Sequence, residues 1–418
     1  MDDVISSKNL CFLIIGILRL IDRRIVDHGC RVAYMMQCLL ELTGKYKRYQ
    51  IAEYAFIAAL HDIGAYKVER GVDMLKFEMQ TPMPHSIYGY LFLKNLSPFG
   101  ERSKILMYSH VDYQKLKGID FKDKDIANML NFAGKVDLFK RAKGDKYDYN
   151  KLRQYIGKIY SQQCFDLLDV AAKRYDIFEK FKTGAHMTEL ESLFGDLMFS
   201  DEEKEKMLEI LVYLAGFDTA NAAMKSLTCA CVAEKIADEM DDMGKYEKTR
   251  LYYASLLHNI GMAAVPPELR EEDKLTDEKD IAIYRRHLAL AENLLDGKIG
   301  DDIIKVIMRH HERIDGSGYP EGLEGPEMEK MEKILQVSDR IAEIAYRGED
   351  TKQRPSESIA TIITNEMNRN WFHRPIVKIF TENHAEIMAY AEKRIDEIMA
   401  NFNKLNMQYE QVKKAMGV

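Results

Sequence analysis

Long apolar runs that end at a glycine recur along the chain, and they decide the predicted fold. EYAFIAALHDIG spans Glu53–Gly64 and TRLYYASLLHNIG spans Thr249–Gly261. A glycine at such a point commonly ends a helix. The 418 residues include only nine prolines, none between Pro98 and Pro266, so long helices can continue unbroken. No series of alternating, turn-bounded segments indicates a sheet. The pattern predicts an all-α fold.

One apolar stretch lies close to the start of the chain. CFLIIGIL, at Cys11–Leu18, is far shorter than the ~20 residues that a membrane-spanning helix needs. It follows Asp2 and Asp3 rather than a basic segment and has no small-residue cleavage pattern, which disfavours a signal peptide. We interpret it as a buried helix. We therefore expect a cytoplasmic protein without a membrane partner.

Short strings of the first half return in the second half at nearly constant separation. LHDIG at Leu60–Gly64 matches LHNIG at Leu257–Gly261, and HGCRVA matches TCACVA. Five such landmarks lie between 197 and 202 residues apart. Unrelated helices would not keep this register, so the sequence predicts an internal duplication. We expect domains at residues 1–190 and 191–418, with the boundary in the polar stretch Thr183–Glu205.

Composition narrows the classes of function. The chain carries 60 basic and 67 acidic side chains, a formal net charge of -7, which argues against a protein that coats nucleic acid. Hydrophobic residues make up 46%, enough for a sizeable core in each domain. The six cysteines include no CxxC pair, and we interpret them as reduced thiols packed as small hydrophobic groups.

Most of the 11 histidines fall on the repeated landmarks, which indicates chemistry rather than packing. The first half supplies six candidate metal ligands: His28, His61, Asp62, His85, His110 and Asp137. Nitrogen and carboxylate ligands suit a pair of divalent ions, with iron or manganese favoured and zinc as the alternative. We expect Asp62 to bridge two ions ~3.5–4 Å apart, an arrangement that hydrolyses phosphoesters.

A locally basic region follows these ligands. Between Glu101 and Tyr160 there are 14 Lys or Arg against 8 Asp or Glu. Arg141 and Lys143 closely follow Asp137, where a side chain could reach an anion held at the metals. We predict that these two contact a substrate phosphate. A solvated helix face is the alternative interpretation of the same charges.

The second half differs from the first at two ligand positions. Thr228 stands where the first half has His28, and Asn259 stands where it has Asp62. A neutral amide is a poor bridging ligand, so this half cannot repeat the two-metal arrangement. Five residues remain that could hold one ion or a ligand: His258, His287, His310, His311 and Asp339. A dense string, HHERIDGSGYP at His310–Pro320, occurs in this half alone.

These motifs resemble a known family. HDIG with its flanking histidines and aspartate resembles the HD superfamily of metal-dependent phosphohydrolases, and HHERIDGSGYP resembles the defining loop of its HD-GYP subfamily. Members of that subfamily are all-helical hydrolases of cyclic dinucleotides such as cyclic di-GMP and cyclic GMP-AMP. The resemblance covers most of both halves. It implies two HD-type helical-bundle domains, the second degenerate at its HN motif, and it supports the metal positions named above.

The chain also departs from the family pattern. The family's lysine after HDIG is Ala65 in the first half and Met262 in the second, with Lys67 as a displaced substitute. We assign catalytic roles to Asp62 and Lys67 on this resemblance. The full ligand set and the GYP string, which the family keeps in one domain, are divided between the two halves.

The leading hypothesis is a phosphodiesterase whose first domain cleaves a cyclic dinucleotide or related nucleotide by attack of a metal-bound hydroxide. Two alternatives stay open. One is a non-enzymatic signalling scaffold that binds nucleotide or protein, and the other is a hydrolase of nucleoside mono- or triphosphates. We expect the second domain to be a degenerate partner of the first. A homodimer or a signalling partner is compatible with the sequence.

Overall fold

The structure is a computed structural model that describes residues 4–68, 83–215, 220–346 and 358–416. Every regular element in these ranges is a helix, and strand-like pairing is confined to isolated bridges. The predicted all-α fold is confirmed. Among the described helices, none combines the length and the apolar character that crossing a membrane requires.

The chain divides into two compact units. The Asp62 unit comprises Leu10–Met207 and Asn401–Val418, and the Asn259 unit comprises Met1–Asn9 and Leu208–Ala400. The change between units at Met207 lies after the predicted boundary at residue 190, and each unit includes a terminal segment from the other half. The assignment of two HD-type domains to residues 1–190 and 191–418 stays a prediction.

The helices are short to medium in length except for the last. In the first half they are α1 (Ser7–Ile21), α2 (Arg23–Thr43), α3 (Arg48–Ala59), α4 (Ala65–Val68), α5 (Met83–Leu96), α6 (Tyr113–Leu116), α7 (Lys124–Lys143), α8 (Gln162–Arg174), α9 (Ile177–Thr183), α10 (His186–Phe194) and α11 (Asp201–Ala215). In the second half they are α12 (Ala220–Asp238), α13 (Lys245–Leu257), α14 (Glu278–Leu295), α15 (Asp301–Met308), α16 (Lys330–Ala345), α17 (Ile359–Asn368) and α18 (Arg374–Met416).

The apolar run near the start of the chain lies in α1. Its side chains Leu13, Ile14 and Ile17 are fully buried, which confirms the interpretation as a buried helix. Each such side chain contributes about 1.5–3 kcal/mol by leaving water. All six cysteines are also buried and form no disulfide, as expected for reduced thiols.

Local sequence signals define α2, which carries the first site residue. The carboxylate of Asp22 accepts a hydrogen bond from the backbone N–H of Arg24 at 2.9 Å and so caps the start of the helix. Gly44, with a φ of 64°, ends it in the left-handed conformation, and its N–H donates to the carbonyl of Glu41.

The predicted helix ends at Gly64 and Gly261 are wrong. Helix α3 ends earlier, at Ala59, and α13 likewise ends before its glycine. The glycines serve close packing instead. A Cβ on Gly64 would lie 2.1 Å from the carbonyl oxygen of His85, and one on Gly261 would lie 2.0 Å from that of His287. The early end of each helix places the pairs His61–Asp62 and His258–Asn259 in the turn that follows it.

Candidate metal centres and active site

The helices of the Asp62 unit bring the predicted ligands of the first half together. The placements are His28 on α2, His61 and Asp62 in the turn after α3, His85 on α5, His110 just after the 3₁₀ segment Gly100–Tyr108, and Asp137 on α7. Two groups of ligating atoms, each lying within 4.8 Å of one another, are His28–His61–Asp62 and Asp62–His85–His110. Asp62 belongs to both groups.

Each carboxylate oxygen of Asp62 faces its own pair of histidines. Oδ2 lies 3.3 Å from Nε2 of His61 and 3.9 Å from Nε2 of His28. Oδ1 lies 3.4 Å from Nε2 of His85 and 3.7 Å from Nε2 of His110. Such separations leave room for a cation between the atoms. One carboxylate oxygen for each of two ions is the geometry of a bridging ligand.

The centre contains buried polar atoms without a hydrogen-bond partner. They are Nε2 of His61 and both carboxylate oxygens of Asp62. The Nδ1 of His61 lies 2.8 Å from the carbonyl oxygen of Ala58, so the ring donates its proton there and presents the lone pair of Nε2. A buried carboxylate without a partner is costly unless a cation binds it. The donor set therefore fits a pair of divalent metal ions.

Asp137 lies behind His28 rather than within either group of three. Its Oδ2 lies 2.7 Å from Nδ1 of His28, and Arg31 donates to its two oxygens at 2.5 and 3.0 Å. This contact fixes the His28 ring with Nε2 toward Asp62. The prediction that Asp137 itself ligates a metal stays a prediction. Sequence reasoning missed Arg31, although a spacing of three residues places it on the same face of α2 as His28.

In the Asn259 unit the predicted residues lie on helices and turns that follow one another in the same order as in the Asp62 unit. The placements are His258 and Asn259 after α13, His287 on α14, His310 and His311 after α15, and Asp339 on α16. Two groups of ligating atoms form, His287–His310–His311 and Cys229–His258–Asp339. Within the described ranges no residue belongs to both groups, which is the main difference from the Asp62 centre.

Three histidines of this unit repeat the orientation seen at His61. The Nδ1 atoms of His258, His287 and His310 lie 2.6–2.7 Å from the carbonyl oxygens three residues earlier. Nε2 of His287 and of His310 is buried without a hydrogen-bond partner. Their backbone contacts therefore orient these rings for metal binding.

Part of the chain matches a known protein family. Residues 216–375 match the family model described as HD domain. Residues 216–375 therefore form an HD domain. The 3'3'-cGAMP-specific phosphodiesterase 1 of Vibrio cholerae is 23% identical to this chain over 354 residues, which cover 77% of this chain and 80% of that protein. The cyclic di-GMP phosphodiesterase of Thermotoga maritima is 24% identical over 196 residues, 46% of this chain and 52% of that protein.

A solved structure gives the same picture of the fold. The cyclic GMP-AMP specific phosphodiesterase V-cGAP3 of V. cholerae superposes with a TM-score of 0.56 at 13% identity, covering 93% of this chain and 98% of that one. The two proteins share the all-helical HD fold. The prediction of a metal-dependent hydrolase of the HD superfamily is confirmed, and the names of the relatives agree with a phosphodiesterase.

The GYP loop, His310–Pro320, is held by one buried carboxylate. Glu312 accepts hydrogen bonds from three consecutive backbone N–H groups, those of Glu321 at 2.6 Å, Gly322 at 3.1 Å and Leu323 at 2.9 Å. Gly318 packs so closely that a Cβ would lie 2.3 Å from the backbone nitrogen of Arg313. The loop sequence therefore specifies one tightly packed backbone path.

A cavity of about 210 Å³ is lined by the GYP loop and Asp339. Two arginines at its wall stack on aromatic rings. The guanidinium of Arg285 lies 4.0 Å from the ring centre of Tyr319, and that of Arg313 lies 3.8 Å from the ring of Trp371. Stacking fixes the plane of a guanidinium, whose N–H groups point outward from its edge toward anions. The same wall also carries Arg340 and the carboxylates of Asp273, Glu312, Asp339 and Glu343.

Three predicted site residues have no contact that tests their role. Lys67 belongs to α4, and its side chain lies outside the described residues. Arg141 and Lys143 lie in the last turn of α7 and are exposed. Basic side chains at the end of a helix also interact favourably with the helix dipole. Their roles toward substrate stay predictions.

Burial keeps three of the site histidines, His110, His287 and His310, neutral. Desolvation lowers the pKa of His110 and of His310 to about 3 and that of His287 to about 4. Burial by itself raises the pKa of Asp62, but His61 and the other histidines around it outweigh this effect and hold the pKa well below its ordinary value. The centres therefore offer neutral imidazoles and an ionised carboxylate, the forms that bind metals.

We expect the metal-free protein to lose stability as the pH falls from 7 to 5. Unfolded histidines gain a proton near pH 6.5, whereas His110, His287 and His310 stay neutral in the folded state until about pH 4 or 3. Between pH 7 and pH 5 the unfolded state binds more protons than the folded state, so the free energy of unfolding decreases as the pH decreases. The loss is about 2 kcal/mol for each histidine at pH 5. Urea unfolding at several pH values measures it, and a flat profile would contradict the buried, neutral state.

Proposed function

We propose that the Asp62 unit hydrolyses a phosphodiester bond of a cyclic dinucleotide. The observation that carries this proposal is the Asp62 carboxylate, whose two oxygens face different pairs of buried histidines. When bound at these donors, two divalent ions, with iron or manganese favoured, would supply charge neutralisation at the phosphoryl oxygens and an activated water. No serine or cysteine nucleophile is needed for this chemistry.

The residues of the centre divide this work. His28 and His61 would hold one ion with Oδ2 of Asp62, and His85 and His110 would hold the other with Oδ1. Asp62 fixes the spacing between the two positions, because its oxygens belong to one rigid carboxylate. The in-line displacement at phosphorus requires such a fixed pair of positions.

Outer residues keep the ligands in place. Asp137 accepts a hydrogen bond from Nδ1 of His28. It also accepts hydrogen bonds from Nε and Nη2 of Arg31. Arg31 also balances the charge of the buried Asp137 carboxylate, which leaves the Asp62 charge for the ions. Ala58 orients His61 through its carbonyl oxygen. These contacts pre-organise the donor atoms, so that little rearrangement accompanies metal binding.

A cyclic dinucleotide is the substrate class that the relatives favour. The V. cholerae relative, which overlaps with more of this chain, is named for 3'3'-cGAMP. The T. maritima relative is named for cyclic di-GMP. Both ligands are rings closed by two phosphodiester bonds, and the metal-pair geometry suits a diester. We therefore assign the class and leave the two bases to experiment.

A substrate panel tests this function. With Mn²⁺ or Fe²⁺ present, the purified chain is expected to cleave 3'3'-cGAMP or cyclic di-GMP with a kcat/KM at least about tenfold above that for bis(p-nitrophenyl) phosphate, because only the nucleotide makes binding contacts that carry over to the transition state. Product formation is followed by chromatography. Cleavage of nucleoside triphosphates alone would contradict the substrate class, and metal binding without any product would favour the scaffold alternative.

Nucleotide binding by the Asn259 unit is a second candidate function. The cavity beside the GYP loop presents the stacked guanidinium groups of Arg285 and Arg313. Planar cations of this kind bind phosphate oxygens in pairs. Binding of a cyclic dinucleotide that persists when turnover at Asp62 is eliminated would support this role.

A further inference from the structure

We propose that the Asn259 unit holds a metal ion through Cys229, His258 and Asp339, as a sulfur-containing centre of zinc type. The ligating atoms of these three residues lie within 4.8 Å of one another, and all three residues are buried. The centre goes beyond the hydrolysis proposed for Asp62 and does not depend on it. Its donor set differs from the nitrogen and oxygen ligands of the Asp62 centre.

The cysteine occupies a position that cannot carry a side chain in the other unit. In the sequence repeat, Cys229 of α12 corresponds to Gly29 of α2. A Cβ on Gly29 would lie 2.2 Å from the carbonyl oxygen of Ala59, so the Asp62 unit excludes any larger residue there. The Asn259 unit accommodates the thiol. The second half has Thr228 in place of the first half's His28. It has a thiol, another type of metal ligand, at the next position.

The contacts of His258 hold its ring beside Asp339. Its Nδ1 lies 2.7 Å from the carbonyl oxygen of Ser255, so the Nδ1–H donates there and Nε2 carries a lone pair. That same Nε2 lies 2.8 Å from Oδ1 of Asp339. The amide nitrogen of Asn259 lies 2.7 Å from the same Nε2, so a metal ion bound there would take the place of this contact.

Charge balance favours a divalent ion of borderline softness. A thiolate at Cys229 and the carboxylate of Asp339 together would neutralise the charge of one such ion. Asn259, whose amide nitrogen lies 2.7 Å from Nε2 of His258, adds no charge. One sulfur, one imidazole and one carboxylate are the ligand types that Zn²⁺ accepts in tetrahedral sites. The ligands come from α12, the turn after α13, and α16, so the ion would connect three buried elements.

Cobalt substitution tests the sulfur ligand directly. The full chain is prepared as Asp62→Asn, which removes the bridging carboxylate of the other centre, and is then loaded with Co²⁺. We expect a thiolate-to-cobalt charge-transfer band in the near ultraviolet. Cys229→Ser should abolish this band and lower the affinity for Zn²⁺ more than about a hundredfold, since loss of a ligand exceeds the effect of losing an outer partner. Cys231→Ser is the matched control, because Cys231 is also buried on α12 but belongs to neither group.

A second measurement needs no cysteine variant, so it tests the sulfur ligand even if Cys229→Ser does not fold. X-ray absorption at the zinc edge of the Asp62→Asn chain should show a sulfur scatterer at about 2.3 Å. Absence of sulfur from this spectrum, or a charge-transfer band that survives Cys229→Ser, overturns the proposal. A sulfur ligand found in a chain that cleaves no cyclic dinucleotide would uphold the centre and contradict only the proposed hydrolysis.

Discussion

Asp62→Asn is expected to eliminate hydrolysis, with kcat/KM falling at least about a thousandfold. The amide keeps the size of the side chain but loses the negative charge that the two ions would share. Its NH2 group is a hydrogen-bond donor and would face one of the two histidine pairs. Both ions should be bound much more weakly, because each of the two ligand groups includes Asp62. Metal analysis and steady-state kinetics on the same preparation measure the two effects together.

Stability separates this effect from misfolding. Because Asn has nearly the same size and shape as Asp, the metal-free Asp62→Asn protein should keep a cooperative thermal transition. The rise in midpoint that metal causes should shrink. Asp169→Asn is the matched control, because this carboxylate pairs with Lys173 on the surface of the same unit. Full activity in Asp62→Asn would place the active site elsewhere.

Gly64→Ala should destabilise the Asp62 unit by about 3 kcal/mol or more and remove its activity. The added Cβ would lie 2.1 Å from the carbonyl oxygen of His85 and 3.0 Å from the backbone nitrogen of Gly89. Both neighbours are backbone atoms, which cannot rotate away as a flexible side chain can. Relief of the overlap requires α5 to move, and His85 moves with it. Chemical denaturation and metal titration measure the two consequences.

Gly134→Ala provides the matched control for this substitution. Gly134 lies within α7 of the same unit, and a Cβ there would meet no atom within 4 Å. Alanine in the interior of a helix is favoured over glycine by about 0.5–1 kcal/mol, so this variant should be slightly more stable and fully active. Equal stability of the two variants would show that the close approach of Gly64 to His85 is not a constraint.

The sequence singles out most of the residues that lie around Asp62, because histidines are rare and their spacing repeats. It predicts Asp62 as the shared ligand, and the structure places each of its oxygens near a separate histidine pair. It cannot predict that α3 ends at Ala59, since the helix signal continues to Gly64 and only tertiary packing against His85 interrupts it.

Other features depend on contacts between distant segments and leave little trace in the sequence. Arg31 reaches Asp137 more than a hundred residues away, and its spacing from His28 gives the helix face but not this partner. Cys229 reads as a small hydrophobic residue until it is placed beside His258 and Asp339. A side chain shows a ligand role only when its neighbours in space are known.

The anchoring of the GYP loop by Glu312 has a consequence for association. Three backbone N–H groups already satisfy this carboxylate, so the loop lies in a single conformation before anything enters the cavity beside it. A ligand that binds there loses its own freedom of motion but does not have to order the loop. Ordering a loop on binding would cost about 0.5–1.5 kcal/mol for each side chain immobilised. We therefore expect ligand entry to need no ordering of this loop.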